Sequence, residues 1–80
     1  MLELYNTYKV YFKFCDFNPI IVRLKHTDTK YSKYPHYYFN VIKGNKKFKN
    51  NFEVYDCNNV YFTKDGAEIV KFEYSPEYML

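Results

Sequence analysis

The chain has no tryptophan, two glycines, three prolines, two cysteines and one arginine. With only Gly44 and Gly66 present, no glycine-rich loop can wrap a phosphate, which excludes nucleotide-binding motifs of that kind. Ser32 and Ser75 fall in predicted loops with no histidine at motif spacing, so nucleophilic catalysis has no support. Cys15, His26, His36 and Cys57 contain no close pair of the type structural zinc sites use, so neither a metal nor a cofactor is expected. The longest aliphatic run, Ile20-Ile21-Val22, is too short to cross a bilayer, and no membrane partner is expected. Residues 1–14 pattern as a strand and not as a secretory leader. The expectation is a cytoplasmic protein (the host cytoplasm if viral) with two distant cysteines kept reduced.

What the chain has instead is tyrosine, phenylalanine and lysine: 11 Tyr and 8 Phe in 80 residues. Lysine, asparagine, tyrosine, phenylalanine and isoleucine are encoded by A/T-rich codons, so this bias points to a low-GC source. Eighty residues suit one domain spanning 1–80. A chain of this size has roughly 4–12 kcal/mol of net stability. Buried aromatic rings, each removing about 150–250 Å² from water, supply the core without a staple.

Alternation dominates the pattern, and no helix announces itself. From Leu2 to Phe14 the even positions Leu2, Leu4, Tyr8, Val10, Phe12 and Phe14 are apolar, while Glu3, Thr7, Lys9, Tyr11 and Lys13 take odd positions. That period of two predicts a strand. Asp16-Phe17-Asn18-Pro19 predicts a turn, and Ile20 to Thr27 a second strand with Ile20, Val22, Leu24 and His26 on its apolar face. Residues 28–36 read as a long exposed loop, Tyr37 to Ile42 as a third strand, and Lys43 to Lys46 as a turn. Phe48, Phe52 and Val54 favour a fourth strand; a short helix near residues 46–56 is the alternative, which would make the fold α+β. Asp65-Gly66 supplies the positive φ of a hairpin joining Val60–Thr63 to Glu68–Tyr74. The predicted fold is all-β, an antiparallel meander of about six short strands closed into a small barrel or a strongly curved sheet.

Charge is unevenly placed along the chain. Residues 20–50 carry Arg23 and seven lysines against Asp28 alone, whereas residues 51–80 carry six acids against Lys64 and Lys71. Side by side, these regions would neutralise each other; apart, the basic region would attract an anion. A first hairpin pairing Phe14 with Ile20 would place Lys9, Tyr11, Lys13, Arg23 and Lys25 on one outer face. Such a cationic, aromatic face suits single-stranded nucleic acid. Against this stands the plainer role of lysines in keeping an aromatic sheet soluble.

The main functional expectation is non-enzymatic binding to another macromolecule, a host protein or nucleoprotein. Tyrosine gives large amphipathic contact area at low entropic cost. Tyr31, Tyr34, Tyr37 and Tyr38 cluster in and after the long loop beside Lys30, Lys33 and His36, and Glu73, Glu77 and Tyr78 form an acidic tail. These ten residues are the candidate protein-binding surface. A compact, motif-free chain of this kind suits a phage or mobile-element inhibitor of a host nucleic-acid enzyme or defence system, an anti-CRISPR-like role. The alternatives are direct single-stranded nucleic-acid binding and, remotely, a metal-independent ribonuclease using His36, lysines and tyrosines. A homodimer is compatible with exposed aromatics and open sheet edges. Phe12, Phe14, Phe39, Phe48, Phe52, Phe62 and Phe72 are the predicted core, with the tyrosines at rim and surface.

Overall fold

The computed structural model describes residues 2–13, 19–30, 33–44 and 51–79. Six strands run in chain order: β1 (Thr7–Phe12), β2 (Ile20–Asp28), β3 (His36–Lys43), β4 (Asn51–Cys57), β5 (Val60–Thr63) and β6 (Glu68–Tyr74). Each pairs antiparallel with the next, and β6 pairs back onto β1, closing the barrel. The all-β expectation holds, and β4 replaces the alternative helix over 51–57; residues 46–50 lie outside the described set. Closure uses up the sheet edges, because β1 and β6 bond to each other. No described helix is long and apolar enough to cross a membrane.

Alternation explains the interior. Tyr8 and Val10 of β1, Ile20, Val22 and Leu24 of β2, Phe39 of β3, Phe52 and Val54 of β4 and Ile69 of β6 form one buried cluster. At its centre Phe39 stacks on Phe72 from the opposite wall, with ring centroids 5.5 Å apart and planes 14° apart. Phe12 meets Phe52 edge-on at 6.1 Å. Leu2, Phe12, Tyr37, Val41, Tyr61 and Phe72 pack against this cluster.

Bulges bend the strands enough to close so small a ring. Ile21 pairs with Lys43 but Val22 with Val41, leaving Ile42 extra. Leu24 pairs with Phe39 but His26 with Tyr38, leaving Lys25 extra. Tyr11 pairs with Lys71 but Phe12 with Ile69, leaving Val70 extra. Each unpaired residue tightens the local twist, and Ile42 and Val70 stand exposed as a result.

Turn chemistry follows the local sequence. Asn58 and Asn59 join β4 to β5 with φ of 56° and 70°, the pair of positive values that a two-residue hairpin requires. Gly66 takes φ of 90° between β5 and β6, as Asp65-Gly66 predicts. Gly44 matters for a different reason: a Cβ there would sit 2.5 Å from the Ile20 side chain, so only glycine fits against β2.

Several expectations need correction. The first strand starts at Thr7 and not Leu2, because Tyr5 adopts φ of 67° and turns the chain. The preceding segment instead folds over one end of the barrel. There Leu2 packs on the core and the Glu3 N–H donates to the Tyr8 hydroxyl at 2.8 Å. Tyr8 is therefore a core residue whose one polar atom is satisfied. Phe62 and Tyr61 exchange roles: Phe62 lies opposite Tyr55 on the outer face, and Tyr61 packs inward against Phe72 at 5.2 Å. Phe14, Phe48 and Cys15 lie outside the described residues, while Cys57 is a free, half-buried thiol.

Candidate recognition surface

The register of the first hairpin decides which charged residues meet. Val10 pairs with Ile20, Lys9 with Ile21 and Thr7 with Arg23, a shift of four residues from the expected pairing of Phe14 with Ile20. Because the shift is even, the apolar face survives, but the expected basic face does not. Lys9 lies between Ile21 and Glu73, and Tyr11 lies opposite Lys71. Lys13 forms an ion pair with Glu68 at 3.3 Å, and the Tyr11 hydroxyl donates to Glu73 at 3.4 Å. Lys71 stands 4.7 Å over the Tyr11 ring and 3.5 Å from Glu73. Arg23 turns elsewhere, donating to the Tyr78 carbonyl at 3.4 Å. Lys25 occupies the β2 bulge. The five residues of the predicted nucleic-acid face are thus divided, and carboxylates of the acidic tail sit among three of them.

The outer face of β2, β3 and β4 has a different character. In β3 the buried Phe39 points inward, so His36 and Tyr38 point outward. The Lys25 bulge reverses the phase of β2, which carries His26 out of the core and sets it opposite Tyr38. This overturns its expected place on the apolar face. In β4 Phe52 and Val54 point inward, so Glu53 and Tyr55 point outward, opposite Tyr38 and His36. The result is a belt of rings across three strands. His36 and Tyr55 have centroids 4.3 Å apart, His26 and Tyr38 are 5.5 Å apart, and His36 and Tyr38 are 6.4 Å apart.

Glu53 organises the middle of this belt. Its Oε1 lies 3.5 Å from His36 Nδ1, and Tyr38 is its partner in the ladder. Interaction of the phenol with the Glu53 carboxylate favours the neutral form and raises the Tyr38 pKa above 10; partial burial and the charges of Glu53 and Asp28 act in the same direction. Asp28, opposite His36 in the ladder, thus adds a second carboxylate to the belt. It also accepts from the Lys30 N–H at 3.2 Å, which holds the start of the loop.

The predicted protein-binding residues divide between opposite sides of the barrel. His36 and Tyr38 join the belt, with Lys30, Lys33 and Tyr34 exposed in the adjoining loop, where Lys33 lies 5.7 Å from the Tyr34 ring. Tyr31 lies outside the described residues. Tyr37 faces inward at one barrel mouth beside Tyr61, 6.3 Å away; burial first, then the Asp56 charge, raises the pKa of both phenols. Glu73, Glu77 and Tyr78 belong to β6 and the 3₁₀ turn Pro76–Tyr78, three strands around the ring from β3. Glu53 and Tyr55 were legible as outward residues from the inward Phe52 and Val54. His26 was not, because nothing in the sequence marks the bulge. Comparison of the chain with protein-family models, with curated proteins and with solved structures returns no match.

Proposed function

We propose that this is a non-enzymatic binding protein that acts stoichiometrically on a protein partner, through the belt of His26, His36, Tyr38 and Tyr55 and the adjoining loop. The observation that carries this reading is the alignment of four rings on the outer face of three paired strands, outside the core. Aromatic side chains of this kind dominate the energetics of recognition surfaces. The specific form we favour is an inhibitor of a host nucleic-acid enzyme, as the compact, motif-free, A/T-biased chain suggests. Direct nucleic-acid binding has weaker support, since Lys13 pairs with Glu68 and Tyr11 with Glu73 on the face that would need to be basic.

The test compares two tyrosine changes for capture of the partner from extract of the source cell. Tyr38→Ala combined with Tyr55→Ala is expected to weaken capture at least about tenfold, in the range of interface hot spots. Tyr11→Ala, on the opposite side, should stay within about twofold. Circular dichroism checks that both variants remain folded. Equal capture by the Tyr38/Tyr55 variant and the wild type would sink the assignment of this surface.

A further inference from the structure

The belt offers ring faces, and ring faces accept flat ligands of two main kinds: nucleobases attached to phosphate, and the guanidinium of arginine. The charges around the rings separate these. Glu53 lies 3.5 Å from His36 and opposite Tyr38 in the ladder, and Asp28 lies opposite His36 on the other neighbouring strand. A phosphate brought against this belt would meet two carboxylates, whereas a guanidinium would find them at the ring edges, where its N–H groups point when it stacks. We infer that the belt is an arginine-reading site: a guanidinium from the partner stacks on the Tyr38 and Tyr55 rings and is held by Glu53, with Asp28 adding negative field.

This rests on the binding function proposed above and names the chemistry of the partner's contact. Surfaces that handle nucleic acid are rich in arginine, so the site fits the class of partner already put forward. It also accounts for the density of hydroxyl and carboxylate groups at one spot on an otherwise lysine-rich chain.

The experiment titrates the isotope-labelled full chain, by amide chemical-shift mapping, with N-acetyl-arginine amide, N-acetyl-lysine amide and a thymidine oligonucleotide. Arginine amide is expected to shift the amides of His26, Tyr38, Glu53 and Tyr55, with affinity at least about threefold above lysine amide. Glu53→Gln, an isosteric change at a half-buried position, should reduce that affinity about threefold or more. Equal arginine binding by wild type and Glu53→Gln overturns the site, as does the absence of shifts on the belt. Oligonucleotide shifts there that exceed those of arginine amide assign it to phosphate-bearing ligands and overturn it too. Arginine failure with Tyr38- and Tyr55-dependent capture retained would reject only this chemistry; loss of both would reject the binding function as well.

Discussion

The outer face of β1 and β6 and the outer face of β2 to β4 are built from similar residues, tyrosines among charged neighbours, yet they reach opposite states. On the first, Lys13 pairs with Glu68 and Lys71 with Glu73, and Tyr11 is held between Lys71 and Glu73. These groups are partly exposed, so each contact contributes little to stability, about 0–1 kcal/mol. Their joint effect is electrostatic silence. On the second face Glu53 lies beside an imidazole and opposite a phenol, and tilted rings adjoin one another across three strands. A tyrosine next to lysine is therefore no guide to a binding face by itself. What matters is which strand the register brings alongside.

The two faces share one support, and removing it is the most damaging change available. Phe39 follows Tyr38 in β3 and stacks across the core on Phe72, which stands between Lys71 and Glu73 in β6. Phe39→Ala should cost about 3–5 kcal/mol, a large part of the roughly 4–12 kcal/mol this chain has. Thermal melting should show a transition many degrees lower, or an unfolded chain. A melting point within a few degrees of wild type would mean that the faces stand independently of this stack.

A smaller effect separates inward from outward tyrosines. Tyr37 and Tyr61 at the barrel mouth have raised pKa values, from burial and then from Asp56. Their neutral forms are favoured in the folded state, so the stability they contribute is fully present below pH 10.0 and declines as pH rises through the higher folded values. Tyr38 is raised mainly by interaction with the neighbouring Glu53 carboxylate. Following tyrosinate absorbance with pH, Asp56→Asn should move two phenols back toward 10.0 and Glu53→Gln a different one. If Glu53→Gln leaves the titration unchanged, Glu53 does not act on the Tyr38 phenol in solution.

Much of the fold was legible because a period of two is a strong signal: Val10, Val22, Phe39, Phe52 and Val54 all point inward as alternation predicts. The faces were less legible. The hairpin register depends on the connection after Lys13 and on closure by β6, neither of which appears in the alternation of β1 and β2 themselves. Moving it by four residues keeps the core and replaces every charged neighbour. Lys25 illustrates the other limit, since a bulge reverses the phase of everything beyond it and carries His26 from the apolar face of its strand to the outer surface. The long loop was also overestimated. Asp28 and His36, its expected ends, are ladder partners, so the connection runs only from 29 to 35.

The finest test asks whether the β1–β6 face is silent because of its carboxylates or simply lacks the shape to bind. Glu68→Gln together with Glu73→Gln removes both acids while leaving Lys9, Lys13, Lys71 and Tyr11 in place. The change in melting stability should be below about 1 kcal/mol, because the pairs are exposed and screened by salt. Weak binding of a thymidine oligonucleotide should nevertheless appear at low salt and fall with added salt, with a log–log slope of about −0.7 for each phosphate neutralised. Wild type should bind more weakly under the same conditions. If instead the two bind alike, the carboxylates are bystanders, and the contrast between the faces lies in the grouping of rings and not in charge. The expected result ties it to charge: the acidic end of the chain, brought beside β1 by barrel closure, turns a basic aromatic strand into neutral surface and leaves recognition to the belt across the barrel.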